Sequence, residues 1–216
     1  MPVVDLSFRV LGGSVPADHG QAVYGAMSRV VPWVHEAAQA RLGIHPINGH
    51  PAGNRLLHLT ASSRLTVRVD SEHIAMLLPL AGSELELDGH SLRVGVPTTY
   101  PLRPRATLRS RLVTFKHRMD PNSFLEMARA ELTKLGIQAQ PGLSRRQGAR
   151  ALEGKSGSGP DRSPFIRRTV RIHDKEVVGY ALVVQGLTAD ESLKLQEHGV
   201  GGRRRYGCGI FVPVRE

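Results

Sequence analysis

Gly199-Val200-Gly201-Gly202-Arg203-Arg204-Arg205-Tyr206-Gly207-Cys208-Gly209-Ile210-Phe211 sets the reading of the whole sequence. Five glycines bracket three consecutive arginines, and the stretch runs directly into apolar residues. Glycine admits positive φ and lets a second chain approach without a Cβ in the way. Successive amides in such a turn can form an anion-binding nest, and the arginines add fixed charge beside it. The stretch therefore reads either as a cradle for a phosphodiester backbone or as a plain turn before a final strand.

Working outward from that turn, the preceding segment 188–197 has a helical pattern with Thr188 at the N-cap and Glu191 at the capping-box position. Residues 165–172 and 177–185 pair as a hairpin about Asp174-Lys175. Residues 111–115 read as a strand, 121–135 as an amphipathic helix ended by Gly136, and 137–139 as a short strand. The first half has a similar order. A strand at 3–10 is followed by a long helical pattern from Asp18, its candidate cap, to about residue 41, broken or kinked at Pro32. Strands at 56–60 and 65–69, a short helix at 71–80, and a hairpin of 85–88 with 92–96 complete it. Each half thus contains the order β-α-β-β-α-β, with one short strand besides. The predicted class is α+β, with tandem ferredoxin-like (RRM-like) units, an N-terminal domain over 1–105 and a C-terminal one over 106–216. The second carries a glycine-rich loop at 199–209 and, at 144–163, a Gly-, Ser- and Arg-rich segment without apolar period that reads as a mobile basic loop.

Charge is distributed unevenly. The 216 residues carry a net +10, but residues 1–100 have a net charge of −1. Residues 101–175 hold 17 Lys and Arg against 6 Asp and Glu. A concentrated, arginine-dominated excess is the electrostatic footprint of a nucleic-acid binder. Ten aromatic residues are few for a protein that stacks single-stranded bases, so the arginines point to a backbone or a duplex shape. No apolar run reaches the roughly 18 residues a membrane span needs. The start, Met1-Pro2-Val3-Val4-Asp5, lacks the regions of a signal peptide, and Cys208 is the one cysteine, so the expected setting is the cytoplasm.

The glycine turn fits Gly-hydrophobic-Gly, five residues, Gly-hydrophobic-Gly without a gap, as Gly199-Val200-Gly201, residues 202–206 and Gly207-Cys208-Gly209. With the doubled element order, this resembles the CRISPR repeat-processing endoribonucleases of the repeat-associated RNA-binding superfamily. Val34-His35-Glu36 matches the hydrophobic-His-polar triplet that several members carry in the first helix. The resemblance implies cleavage of precursor CRISPR RNA on the 3′ side of a repeat stem-loop, without a metal or other cofactor, leaving 2′,3′-cyclic phosphate and 5′-hydroxyl ends. It also implies that the protein can stay bound as a subunit of an effector complex with other CRISPR proteins. The chemistry needs a base for the 2′-hydroxyl proton and charge or hydrogen bonds for the phosphate. The sequence has no closely spaced Cys/His set and no clustered carboxylates for a metal centre.

Ten histidines compete for the base. His35 has the motif position; His45, in the loop after the helix, is the rival because some members place the residue there, and His50 trails. Tyr24 lies eleven residues before His35 and reads as a packing residue. Candidate RNA-binding residues are Arg109, Arg111, Lys116, Arg145, Arg146, Arg167, Arg168 and Arg171 of the basic segment, with Gly199, Gly201, Gly202, Arg203, Arg204 and Arg205 of the turn. A catalytically inactive RNA-binding subunit of a CRISPR ribonucleoprotein is the alternative function. A structural RNA-binding protein of the ribosomal kind is more distant.

Overall fold

A computed structural model describes residues 1–36, 41–146 and 163–214. Two compact units divide them. The first comprises Met1–Leu102, Val170–Glu176 and Arg203–Gly207; the second comprises the described residues of Arg103–Thr169, Val177–Gly202 and Cys208–Glu216.

In the first unit the chain forms β1 (Val3–Leu11), β2 (Ser14–Pro16), α1 (Gly20–Val30), α2 (Trp33–Glu36), β3 (Gly43–Ile44), β4 (His50–Pro51), β5 (Leu56–His58), β6 (Arg64–Asp70), α3 (Ile74–Leu77), β7 (Glu84–Leu87) and β8 (His90–Pro101). The main sheet has the order β3-β6-β1-β8-β7, and its adjacent strands are antiparallel. Alternation along β1 sends Leu6, Phe8 and Val10 into the core, where Val23, Ala26 and Met27 of α1 also lie. Val3, Asp5 and Ser7 occupy the opposite face. There Asp5 pairs in register with Arg68, and the Ser7 and Thr66 hydroxyls meet at 2.9 Å.

Several local expectations are corrected. Pro32, which has no N–H to donate, divides the long helical pattern: α1 ends at Val30 and α2 is a separate turn. The rest of the pattern, 37–40, lies outside the described residues. His19, not Asp18, occupies the N-cap position of α1. Asp18 instead accepts the backbone N–H of Arg171 at 2.8 Å. The 71–80 segment is not one helix but a 3-10 turn, α3 and a second 3-10 turn, with Pro79 inside the last. The strand expected at 56–60 is β5, but it lies in a small separate sheet of order β2-β5-β4, and β3 takes the edge of the main sheet.

The second unit contains β9 (Thr107–Val113), α4 (Pro121–Lys134), β10 (Gln140–Leu143), most of the β11 (Arg167–Ile172) and β12 (Lys175–Gln185) hairpin, α5 (Ala189–His198) and β13 (Phe211–Pro213). Its sheet runs β10-β12-β9-β13, with β11 also paired to β12. Phe124, Ala128 and Leu132 form the i, i+4, i+8 stripe by which α4 enters the core. Asp120 caps α4 by accepting from the amides of Asn122 and Ser123. Thr188 and Glu191 form the expected capping box on α5. The strand expected at 137–139 begins instead at Gln140, because Ile137 is drawn into the core beside Leu132. Most of the expected basic loop at 144–163 lies outside the described residues. Among the described residues, no helix is long and apolar enough to cross a membrane.

Candidate active site and nucleic-acid interface

His35 stands exposed on α2. Its Nδ1 lies 3.0 Å from the hydroxyl of Tyr24, whose ring centroid is 6.3 Å from the imidazole. The eleven-residue separation reads as distant along one helix, but the break at Pro32 turns α2 back so that the two side chains meet. Tyr24 packs against the core as expected, and its hydroxyl also makes it a functional candidate. Only the helix-breaking proline hinted at it.

Two residues of the glycine-rich turn reach the same place. Tyr206 meets Tyr24 edge-on at a centroid distance of 5.1 Å, and Nη1 of Arg205 donates to the His35 carbonyl at 3.4 Å. Burial, with Tyr24 adding to it and Arg205 opposing, raises the Tyr206 phenol above its usual range, so it is neutral at physiological pH.

His45 is placed differently. Its Nε2 is buried and lies 3.4 Å from the Asp5 carboxylate. Burial pushes this imidazole below its usual value, and Asp5 only partly offsets that. Asp5 also receives two hydrogen bonds from Arg68, from Nε at 2.8 Å and Nη2 at 2.9 Å. Although burial opposes its ionisation, the close approach of His45 and the hydrogen bonds from Arg68 hold the Asp5 carboxyl well below the ordinary carboxylate range. Arg41 pairs with Asp70 nearby. Arg204 enters this group from the turn, its Nε and Nη2 buried. Burial, together with the cations Arg68 and Arg41, lowers it to about 10, still protonated at neutral pH. The sequence pattern has all three arginines of the turn facing a ligand, whereas Arg204 is turned into the fold.

His19 also belongs to the fold. A carbonyl can only accept and an amide can only donate, so its two contacts fix the tautomer. Nδ1–H donates to the Pro16 carbonyl at 2.7 Å, and Nε2 accepts from the Ile47 amide at 2.8 Å. His50, the trailing candidate, lies on β4 directly opposite His58.

The turn itself is tightly made. Gly209 has φ +65°, and a Cβ there would sit 2.5 Å from the Val200 carbonyl oxygen. The amides of Gly199, Tyr206, Gly207 and Gly209 donate to carbonyls of Leu195, Arg203, Arg204 and Leu112. The stretch open to an anion is thus narrower than the whole 199–209 segment; Gly202 and Arg203 are exposed within it, and Gly201 is half-buried.

In the second unit, β9 alternates inward Leu108, Ser110 and Leu112 with outward Arg109 and Arg111. Arg168 lies close enough to Arg109 to feel it: burial lowers the Arg168 guanidinium below its usual range, and the neighbouring cation adds to this. Two crowded arginines are relieved by an anion between them. Arg167 sits 5.8 Å from the centre of the Tyr180 ring, and Arg145 at the same distance from Phe165. Lys116 and Arg146 are exposed. Arg171, in the first unit, lines a cavity of about 660 Å³ with Arg29, Arg55, Glu86, Asp88 and Asp174. Among the described residues, no three His, Cys, Asp or Glu side chains group to hold a metal ion.

A family model described as Cas6 Crispr matches residues 4–216. The chain is 39% identical over 213 residues to the CRISPR-associated endonuclease Cas6 of Myxococcus xanthus (strain DK1622), with 99% of this chain and 82% of the relative covered. A solved structure described as an RAMP protein binding different RNA substrates has a TM-score of 0.66 at 10% identity, with all of both chains covered. A Cas6-related protein from Pyrococcus furiosus has a TM-score of 0.65 at 10% identity over 99% of each chain, a likeness of mixed α/β fold. By the match of nearly its whole length, the chain belongs to the Cas6 family of CRISPR proteins.

Proposed function

We propose that this protein is a metal-independent endoribonuclease that binds the stem-loop of a CRISPR repeat in precursor RNA and cuts on its 3′ side. The observation that carries this reading is the exposed His35 with its Nδ1 held by Tyr24. In this reading the Tyr24 hydroxyl, which can donate or accept, accepts from Nδ1–H at 3.0 Å, leaving the Nε2 lone pair free to take a proton. Nε2 removes the 2′-hydroxyl proton of the target ribose, the 2′-oxygen bonds to the adjacent phosphorus, and the P–O5′ bond breaks. The departing O5′ takes up a proton, so the ends are a 2′,3′-cyclic phosphate and a 5′-hydroxyl. Nucleophile and phosphate belong to one nucleotide, so orientation and proton removal supply the catalysis. His45, its Nε2 buried against Asp5, is the weaker base.

In this reading each unit is built on a ferredoxin-like plan, supported by the strand orders β3-β6-β1-β8 and β10-β12-β9-β13. The domain division is drawn near residue 105, with Val170–Glu176 and Arg203–Gly207 returning to the first unit, and the glycine-rich loop at 199–209 serves the RNA. Arg109, Arg111, Lys116, Arg145, Arg146, Arg167, Arg168 and Arg171 contact the phosphates, with Gly199, Gly201, Gly202, Arg203 and Arg205 of the turn. Arg204 anchors the turn instead. The protein works in the cytoplasm and can remain on its product within a larger CRISPR assembly.

The test is cleavage of the cognate repeat RNA in EDTA by wild type, His35→Ala and His45→Ala. Cutting by wild type and loss in His35→Ala with RNA binding retained is the expected result. No cutting by wild type refutes the enzyme, and loss in His45→Ala alone moves the base to that residue.

A further inference from the structure

Tyr206 has no part in the chemistry above, yet its surroundings fix it firmly. Its ring packs edge-on against Tyr24, at an interplanar angle of 63°. Its backbone lies on the first residue of α1: a Cβ on Gly20 would stand 2.5 Å from the Tyr206 carbonyl oxygen. Its amide donates to the Arg203 carbonyl at 2.9 Å, closing the turn. Tyr24 and His35 stand on different helices, on either side of the break at Pro32. No single rigid element therefore sets the distance between them. What holds the Tyr24 ring from outside decides where its hydroxyl points.

We infer that Tyr206 is a positioning residue for RNA cleavage, its ring holding Tyr24 so that the Tyr24 oxygen keeps the proton of His35 on Nδ1. This rests on the reading of His35 as the base. The same turn ties down the other partner, since Arg205 donates to the His35 carbonyl. The glycine-rich turn thus has a second role beside RNA capture. It completes the support of a histidine about 170 residues away in sequence, as an orienting group does for a catalytic imidazole. The part that matters is the aromatic ring and not the phenol, because the contact with Tyr24 is ring to ring.

The experiment compares wild type, Tyr206→Ala, Tyr206→Phe and Gly20→Ala, measuring single-turnover cleavage at saturating RNA and RNA affinity. The histidine tautomer is read by NMR of protein labelled with ¹⁵N-histidine. Gly20→Ala alters no functional group and favours helix, but drives a methyl into the Tyr206 carbonyl. Tyr206→Ala and Gly20→Ala are expected to cut about ten- to a hundredfold more slowly. RNA affinity stays within about twofold of wild type, and the Nδ1–H signature of His35 is lost. Tyr206→Phe keeps the ring and restores both. Wild-type cutting by Tyr206→Ala at saturating RNA, or an unchanged His35 tautomer in it, overturns the proposal. So does a defect in Tyr206→Ala confined to affinity. A wild-type protein that does not cut defeats the ribonuclease reading instead, and the imidazole signature alone then decides whether Tyr206 orients His35.

Discussion

Replacing Asp5 by Asn keeps the shape of the side chain and removes the charge at the centre of the buried cluster. Arg68 is 1% exposed and donates to both carboxylate oxygens of Asp5. Its guanidinium cannot shed its proton, so the variant sets a buried cation against a neutral amide where it had a carboxylate. Breaking a buried pair from one side costs roughly 3–5 kcal/mol. The Asp5 side chain is 21% exposed, so some water reaches the gap and the lower end, about 3 kcal/mol, applies. At about 2–4 °C per kcal/mol for a chain of this size, thermal denaturation followed by circular dichroism should show a fall of roughly 6–12 °C. Replacing both partners, Asp5→Asn with Arg68→Met, removes the stranded charge and should recover most of that loss. The sign of the pH dependence follows from the same group. Asp5 and His45 both have folded values below their ordinary ones of 3.8 and 6.5, so the unfolded chain takes up protons that the fold excludes. Their stabilisation is present above those ordinary values. It is lost as pH falls, first from His45 below 6.5 and then from Asp5 below 3.8. The Asn variant loses the second step. A melting point within about 2 °C of wild type, or a double variant as labile as the single one, would falsify this account of the cluster.

Removing the two crowded arginines, Arg109→Ala with Arg168→Ala, should weaken repeat RNA binding. The salt dependence of binding should flatten by about one unit of log–log slope for each phosphate that the variant no longer neutralises; an unchanged slope removes β9 and β11 from the interface. Gly209→Ala forces an L side chain into φ +65° and against the Val200 carbonyl. The left-handed backbone alone costs about 1–2 kcal/mol, so the melting point should fall by several degrees, and an unaltered one would show that the turn can relax.

Much of the fold was legible because its signals are local. The capping box at Thr188 and Glu191 and the alternation along β1 each specify an element with a few neighbouring residues. Boundaries slipped where tertiary contacts compete. Asp18 left the start of α1 for the amide of Arg171, 153 positions away, and no sequence window contains that preference. The site was legible in type and not in partnership. A motif position singled out His35, but its contact with Tyr24 depends on how far the chain turns at Pro32, which propensity does not supply. His45 and Arg204 were candidates because their residue types suit catalysis and RNA. In the fold both lie near Asp5 and Arg68, which come together only when β1 and β6 pair.

The glycine-rich turn shows why a motif can be conspicuous without every residue in it facing a ligand. Gly207 and Gly209 take positive φ, and their missing side chains leave room for Pro46 and for the Val200 carbonyl. Gly20, far outside the motif, is bare for the matching reason: the Tyr206 backbone lies against it. These glycines answer demands of packing, and would do so with no RNA present. Of the three arginines, Arg204 is buried near Arg68, Arg41, Asp5 and Asp70, Arg205 reaches the backbone of His35, and Arg203 projects outward at φ +67°. A segment tied this closely to α1 and β3 cannot be mutated for RNA affinity alone. Substitutions at 203–207 will therefore move binding, cleavage and stability in different proportions, and those proportions identify what each residue does.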